Sequence, residues 1–313
     1  MKLGVVGAGA VGAAVTLASC VRGVARDIVL LDKDTARANG VAADIRYGTP
    51  LSPECDVRAG SYRDLTGAAL VVLAAGINEK AGGATNRHDP LGRLRLLNTN
   101  AGVFEEIVPQ VVDAAPDATI LVVTNPPEPL VDLTRRLAGH DRVLSTSTFL
   151  DSLRFRFHLA KFFGVSPMSV DANVIGEHGT FSVFLWSSVR IGGTPLHELL
   201  EDRNIRLDDL RQTIEQEVRF ANISIIEGTG ASQYGIGMVV ARVADCILRD
   251  EHAVIPVGSF QRGYGVTLSL PSVVGGEGVE SVFWPTLSEE EQRGVDASAE
   301  RLAGVMQQFA GAA

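Results

Sequence analysis

Short, unbroken apolar runs set the rhythm of the first half of the chain. Residues 3–6, 28–31, 70–74, 120–123 and 143–144 are such runs, each closed by Gly, Asp, Asn or Ser. They lack the polar alternation of a half-solvated strand and so predict parallel strands buried on both faces. Between them, residues 13–21 and 91–115 carry helical spacing, with Pro109 predicting a kink in the second. This strand–helix–strand rhythm predicts an α/β doubly wound parallel sheet over residues 1–150, with a ligand crevice at the carboxyl ends of its strands.

From about residue 150 the texture changes. A helix is expected over 150–163, then strands over 170–175 and 183–191. A long helical stretch, 207–226, breaks at Gly228-Thr229-Gly230 and resumes through residue 249. Strands over 254–259 and 266–270 precede a charged helix over 289–309. Strands and helices without strict alternation predict an α+β domain over 151–313, which would carry the chemistry. No repeat or low-complexity linker separates the halves, so a tight interface between them is expected.

Composition narrows the possibilities. At 313 residues there is room for two domains, and a net charge of −9 argues against a nucleic-acid surface. No apolar run approaches the roughly 18 residues of a membrane helix. The opening Met1-Lys2-Leu3-Gly4-Val5-Val6 lacks the basic region of a signal peptide and is soon broken by glycines. Cys20, Cys55 and Cys246 have no metal-ligand spacing and predict free thiols in a reducing cytoplasm, with no metal site.

Two constellations carry chemistry. Gly7, Gly9 and Gly12 fit G-x-G-x-x-G after an apolar strand and before a helix, the cradle of a Rossmann dinucleotide site. Its glycines permit a tight turn, close approach of backbone to pyrophosphate, and close helix–strand packing. Asp32 ends the next strand, where an acid can hold both ribose hydroxyls and repel a 2′-phosphate; NAD is favoured over NADP. Further on, Gly176-Glu177-His178-Gly179 presents a glycine-flanked imidazole as a proton carrier. Asp151 would orient it, and Arg154, three residues after Asp151, would clamp a small carboxylate.

With these pieces assembled the chain resembles the L-lactate/L-malate dehydrogenase family almost end to end. Gly7-x-Gly9-x-Val11-Gly12, Ala74-Ala75-Gly76, Arg93-Leu94-x-Leu96-Leu97-x-x-Asn100 and Thr124-Asn125-Pro126 are similar to its signatures. So are Leu150-Asp151-Ser152-x-Arg154-Phe155-Arg156, Gly230-Ala231-Ser232 and Ile255-Pro256-Val257-Gly258-Ser259. The resemblance implies reversible hydride transfer between NAD and a small 2-hydroxy acid. His178 would accept the hydroxyl proton, and Asp151 would fix its tautomer and raise its pKa. Arg154 would hold the substrate carboxylate and Arg93 would polarise the C2 oxygen. Asn125 would touch both substrate and nicotinamide, and Val11 and Gly76 would join the glycines and Asp32 around the cofactor. A homodimer or homotetramer is also implied.

The sequence departs from the family in the loop between Gly76 and Arg93, which is lengthened. Two registers compete there. Asn78-Glu79-Lys80-Ala81-Gly82 resembles the lactate-type run and places Glu79 where the substrate side chain is read; a carboxylate there would repel oxaloacetate and suit a neutral polar or cationic acid. Counting back from Arg93 instead places Arg87 at the malate-type arginine, reading a second carboxylate. The first is preferred because its flanking residues also match. Ser232 replaces a usual threonine beside the substrate, and Thr180 a usual aspartate. A reading from another class, a catalytically idle NAD(H)-sensing paralogue, rests on the long loop and Thr180.

Overall fold

The computed structural model describes residues 1–89, 92–203 and 205–311. The chain begins in the middle of a sheet with β1 (Lys2–Val6), α1 (Ala10–Arg22), β2 (Asp27–Leu31), α2 (Thr35–Gly48) and β3 (Asp56–Ala59). It then crosses back through β4 (Ala68–Leu73), α3 (Leu97–Ala114), β5 (Thr119–Val122), α4 (Pro127–Ala138) and β6 (Val143–Ser145). The strand order β3-β2-β1-β4-β5-β6 is parallel throughout and reverses direction between β1 and β4, the topological switch point that opens a ligand crevice.

The continuous apolar runs have a direct cause. Ile28 and Leu30 of β2, with Leu70 and Val72 of β4, pack into a core roofed by α1 and α9 (Tyr234–Leu248). Their neighbours Val29, Leu31, Val71 and Leu73 pack on the opposite face under α3 and α4. Alternation is present, but both destinations are dry. Gly237 brings α9 close to α1: a Cβ there would stand 2.8 Å from the Ala14 carbonyl oxygen.

The second half opens with α5 (Phe149–Phe163), β7 (Val170–Asp171), β8 (Val174–Gly176), β9 (Ser182–Phe184), β10 (Arg190–Ile191) and β11 (Thr194–Pro195). Helices α6 (Leu196–Arg203), α7 (Leu207–Arg219) and α8 (Ala221–Thr229) lead to α9. The hairpin β12 (Ala253–Gln261) and β13 (Val266–Gly275), the short β14 (Gly278–Val282), and α10 (Glu289–Gly311) complete the fold. Gly258 of β12 pairs with Ser145 of β6, and Ser269 of β13 with Gly176 of β8. The antiparallel strands of the second half thus continue the parallel sheet of the first, eleven strands in all.

Several expected elements are subdivided. Residues 170–175 form β7 and β8 in different sheets, because the Arg156 guanidinium binds the Ala172 carbonyl and the Asn173 side chain at the step between them. The strand expected over 183–191 is interrupted by a tight turn at Trp186–Ser188. There the Trp186 indole donates to Glu215 and the Ser187 amide and hydroxyl donate to Glu291. The helix expected from residue 91 starts at Leu97 after a 3-10 turn, and runs through Pro109 to Ala114; Pro90 and Leu91 lie outside the described residues.

Candidate active site

The glycine loop between β1 and α1 sits at the switch point. Gly7 has φ +106°, and a Cβ there would meet the Ala74 and Ala75 backbone within 2.8 Å. A Cβ on Gly12 would stand 1.7 Å from the Gly7 carbonyl oxygen, so only glycine lets α1 fold back on the strand. Gly9 is different, since nothing lies within 4 Å of its would-be Cβ. It starts α1 with no side-chain cap, leaving first-turn N–H groups free to receive an anion. Asp32, at the end of β2, accepts from the Ala8 amide at 2.7 Å and the Asp34 amide at 2.9 Å, which holds its carboxylate against the loop. Open space at Gly9, uncapped amides and a fixed acid fit a dinucleotide.

The opposite wall is built from α5 and the turn after β8. The Thr148 hydroxyl donates to the Val174 carbonyl, and the Val174 amide donates to the Ser152 hydroxyl at 2.9 Å. These bonds fasten the first turn of α5 to β8 and bring Asp151 to His178. Asp151 Oδ2 lies 2.6 Å from His178 Nδ1, while Oδ1 accepts from the Arg154 guanidinium at 3.0 Å. From the far side, the Ser298 hydroxyl of α10 accepts from the Glu177 amide at 2.8 Å and donates to the Phe181 carbonyl, pinning the turn.

Burial pushes the Asp151 carboxyl up, but the His178 imidazole and the Arg154 and Arg93 guanidiniums outweigh it and hold it below the usual range. His178 is lowered, first by burial, with Arg93 and Arg154 adding to it and Asp151 opposing. Asp151 does raise this imidazole, but desolvation and two nearby cations outweigh it, so the expected net rise toward working pH is corrected to a fall. A neutral ring facing a charged carboxylate carries its proton on Nδ1, which leaves Nε2 as a base.

Sequence reasoning missed Glu128 in the first turn of α4. It is buried and accepts from the His178 amide at 3.1 Å and from the Ser147 hydroxyl. Burial pushes its carboxyl up to about 7 against the Ser147 hydrogen bond, with the charge of Glu177 adding to the rise. The signal was an acid inside the apolar stretch Pro126-Pro127-Glu128-Pro129-Leu130.

The described start of the lengthened loop, Ile77, Asn78 and Glu79, lines the crevice. Asn100 anchors its base, accepting from the Ile77 amide and donating to the Asn125 carbonyl, each at 2.7 Å. Glu79 accepts from the Asn125 side-chain amide at 2.7 Å and stands 3.9 Å from Arg93 Nε. That Arg93 nitrogen is buried without a hydrogen-bond partner. Arg87 turns away from this group and makes a two-pronged contact with Glu227 of α8, each prong 2.9 Å, plus a hydrogen bond to Ser224. Val11, Gly76, Glu79, Arg93, Asn125, Arg154, His178 and Ser232 line one cavity of about 120 Å³. Asn222 of α8, also unforeseen, lines it as well.

A doubly wound sheet with a glycine cradle, sharing its crevice with an imidazole–carboxylate pair and two half-buried guanidiniums, defines a nucleotide-dependent oxidoreductase. Residues 1–143 match the lactate/malate dehydrogenase NAD binding domain, and residues 148–311 match the alpha/beta C-terminal domain of the same enzymes. The chain belongs to the lactate/malate dehydrogenase family. It is 42% identical over 311 residues to L-lactate dehydrogenase of Thermus aquaticus, covering 97% of this chain and 98% of that one. Against L-lactate dehydrogenase of Deinococcus radiodurans the identity is 41% over 310 residues, 99% of each. Among solved structures, the ligand-bound minor L-lactate dehydrogenase of Enterococcus mundtii superposes with a TM-score of 0.90 at 33% identity, covering 98% of both chains. A lactate dehydrogenase from a Medee basin deep-sea metagenome library gives 0.91 at 29%, covering 99% of this chain and 98% of that one. The chain is an NAD-dependent, lactate dehydrogenase-like 2-hydroxy acid dehydrogenase.

Proposed function

We propose that this enzyme interconverts a small 2-hydroxy monocarboxylate and its 2-oxo acid, with His178 as proton carrier. Arg154 binds the substrate carboxylate through its planar fork. Arg93 and Asn125 hold the C2 oxygen, where negative charge grows in the transition state. As the C2–H electron pair leaves as hydride, the hydroxyl proton passes to His178 Nε2 and the C–O bond becomes a carbonyl. Asp151 steadies the imidazolium so formed. NAD, when bound, supplies the hydride acceptor. Gly7, Gly9, Val11, Gly12, Asp32, Gly76 and Asn125 would hold it.

The observation that carries this reading is the hydrogen-bonded chain from His178 through the buried Asp151 to Arg154, whose two ends line the same cavity as Gly76 and Val11. A 2-oxo acid such as pyruvate should oxidise NADH in the presence of the purified protein. His178→Ala should abolish that turnover while NADH binding persists. Unchanged turnover in the variant would remove His178 from its role.

The malate reading through Arg87 draws no support from the geometry, since Arg87 is engaged with Glu227 and Ser224. The sensor reading is disfavoured by the complete set of acid, base and clamp groups. Exposed Leu153, Phe157 and Phe162 on α5, with Tyr234 and Met238 on α9, support a homodimer or homotetramer. No described helix is long and apolar enough to cross a membrane. A cytoplasmic setting is part of the proposal, on the strength of three free cysteines.

A further inference from the structure

Glu79 puts a carboxylate on the cavity wall, at the position the preferred sequence register assigns to reading the substrate's side chain. Its side chain is 16% exposed and its oxygen faces the Asn125 amide and the Arg93 guanidinium. Those are the donors that a substrate's C2 oxygen needs under the function proposed above, on which this inference rests. Arg93, Arg154 and Glu79 are the charged groups that line the cavity beside His178, and Asp151, which does not line it, pairs with Arg154. A bound substrate takes Arg154 with its carboxylate and draws Arg93 and Asn125 to its C2 oxygen. Glu79 is then left as a largely buried anion with its donors claimed, and such a charge is costly unless it is paired.

Three kinds of side chain can arrive there. A second carboxylate meets a like charge in a confined, poorly solvated space. A neutral chain leaves the anion unpaired, or drives it to take up a proton. A cationic donor pairs with it and frees Arg93 and Asn125 for the reacting oxygen. The wall beyond agrees with this, because the buried Asn222 of α8 and Ser232 before α9 add polar groups to the same cavity.

We infer that Glu79 selects a 2-oxo or 2-hydroxy acid whose side chain carries a positively charged donor, a guanidinium or an ammonium. Glu79 pairs with that group, and Asn222 and Ser232 supply polar contacts around it. A guanidinium suits the site best in form, since its planar fork matches a carboxylate with two parallel hydrogen bonds.

The test is a steady-state comparison of three 2-oxo acids of similar chain length with NADH: 5-guanidino-2-oxopentanoate, 2-oxohexanoate and 2-oxoglutarate. Pyruvate is included as a small reference. The expected order of kcat/KM for the wild type is guanidino acid over neutral acid by at least about tenfold, with the diacid lowest. Glu79→Gln should shrink the guanidino-to-neutral ratio by about tenfold or more, chiefly through KM. A wild type that prefers 2-oxohexanoate, or a ratio unmoved by the substitution, overturns the assignment while leaving the dehydrogenase reading intact. Tight NADH binding with no turnover on any of the four acids sinks both.

Discussion

Asp151→Asn tests the core of the mechanism, because it removes one charge and little volume. The Asp151–His178 contact is 2.6 Å between heavy atoms. With each charge spread over a ring or a carboxylate, the separation is roughly 4 Å, which at an effective dielectric of about 20 amounts to about 4 kcal/mol. That corresponds to about three pKa units of support for the imidazolium. The transition state holds a partly formed imidazolium, so kcat/KM at neutral pH should fall roughly 10²- to 10³-fold. The loss must be equal in both directions, since the equilibrium constant of the reaction is untouched. Hydroxy-acid oxidation needs the neutral ring, and burial already holds His178 below its usual value. Its acid limb should therefore lie below about pH 6.5 in the wild type and move lower still in the variant. NADH fluorescence titration supplies the control, for the Gly7–Gly12 loop is elsewhere and its affinity should hold. A loss under about tenfold, or an acid limb that moves to higher pH, would refute the reasoning.

Three further outcomes are expected. Gly9→Ala should weaken NADH binding at least about tenfold with little change in thermal midpoint, because its Cβ enters open space that a dinucleotide would fill; Gly12→Ala, whose Cβ collides with the Gly7 carbonyl, should destabilise the fold itself. Glu128, pushed up to about 7 from 4.5, binds more protons folded than unfolded between those values. Wild-type stability should drop by roughly 3 kcal/mol across that window and then level off, whereas Glu128→Gln should lack the slope; urea midpoints at about pH 5 and about pH 8, at fixed protein concentration, read the difference. Arg87→Ala should change KM for pyruvate and oxaloacetate by under about threefold, because its ion pair with Glu227 is solvent-exposed and outside the cavity; a selective collapse on oxaloacetate would restore the malate reading.

The parallel half of the fold was legible because its inner strands are buried on both faces, and the residues that end them are those that turn. Elements with weaker contrast escaped: α2 has few buried positions, and β3 is short and partly exposed. The second half was harder, since its short strands stop where side chains take over the hydrogen bonding, as Arg156 does at Ala172. At the site, spacing alone could pair Asp151 with Arg154, and a motif could single out His178. Asn222 reaches the crevice from a helix whose local sequence gives no hint of it, and Glu128, buried behind the His178 amide, was marked only as an acid in an apolar stretch. Nor could sequence fix the sign of the His178 shift, which depends on how much water the folded chain excludes and on two cations brought from other segments.

One consequence follows from the single sheet that spans both halves. The glycine cradle hangs from β1, and the imidazole from β8, and the two strands are joined through a ladder of main-chain hydrogen bonds running by way of β6, β12 and β13. The distance between cradle and imidazole is thereby set by the spacing of that ladder rather than by hinge posture. The covering segment before Arg93 can lengthen, shorten or change its reading residue without moving cradle or imidazole. New substrate preferences can arise in such a scaffold by editing the cover alone.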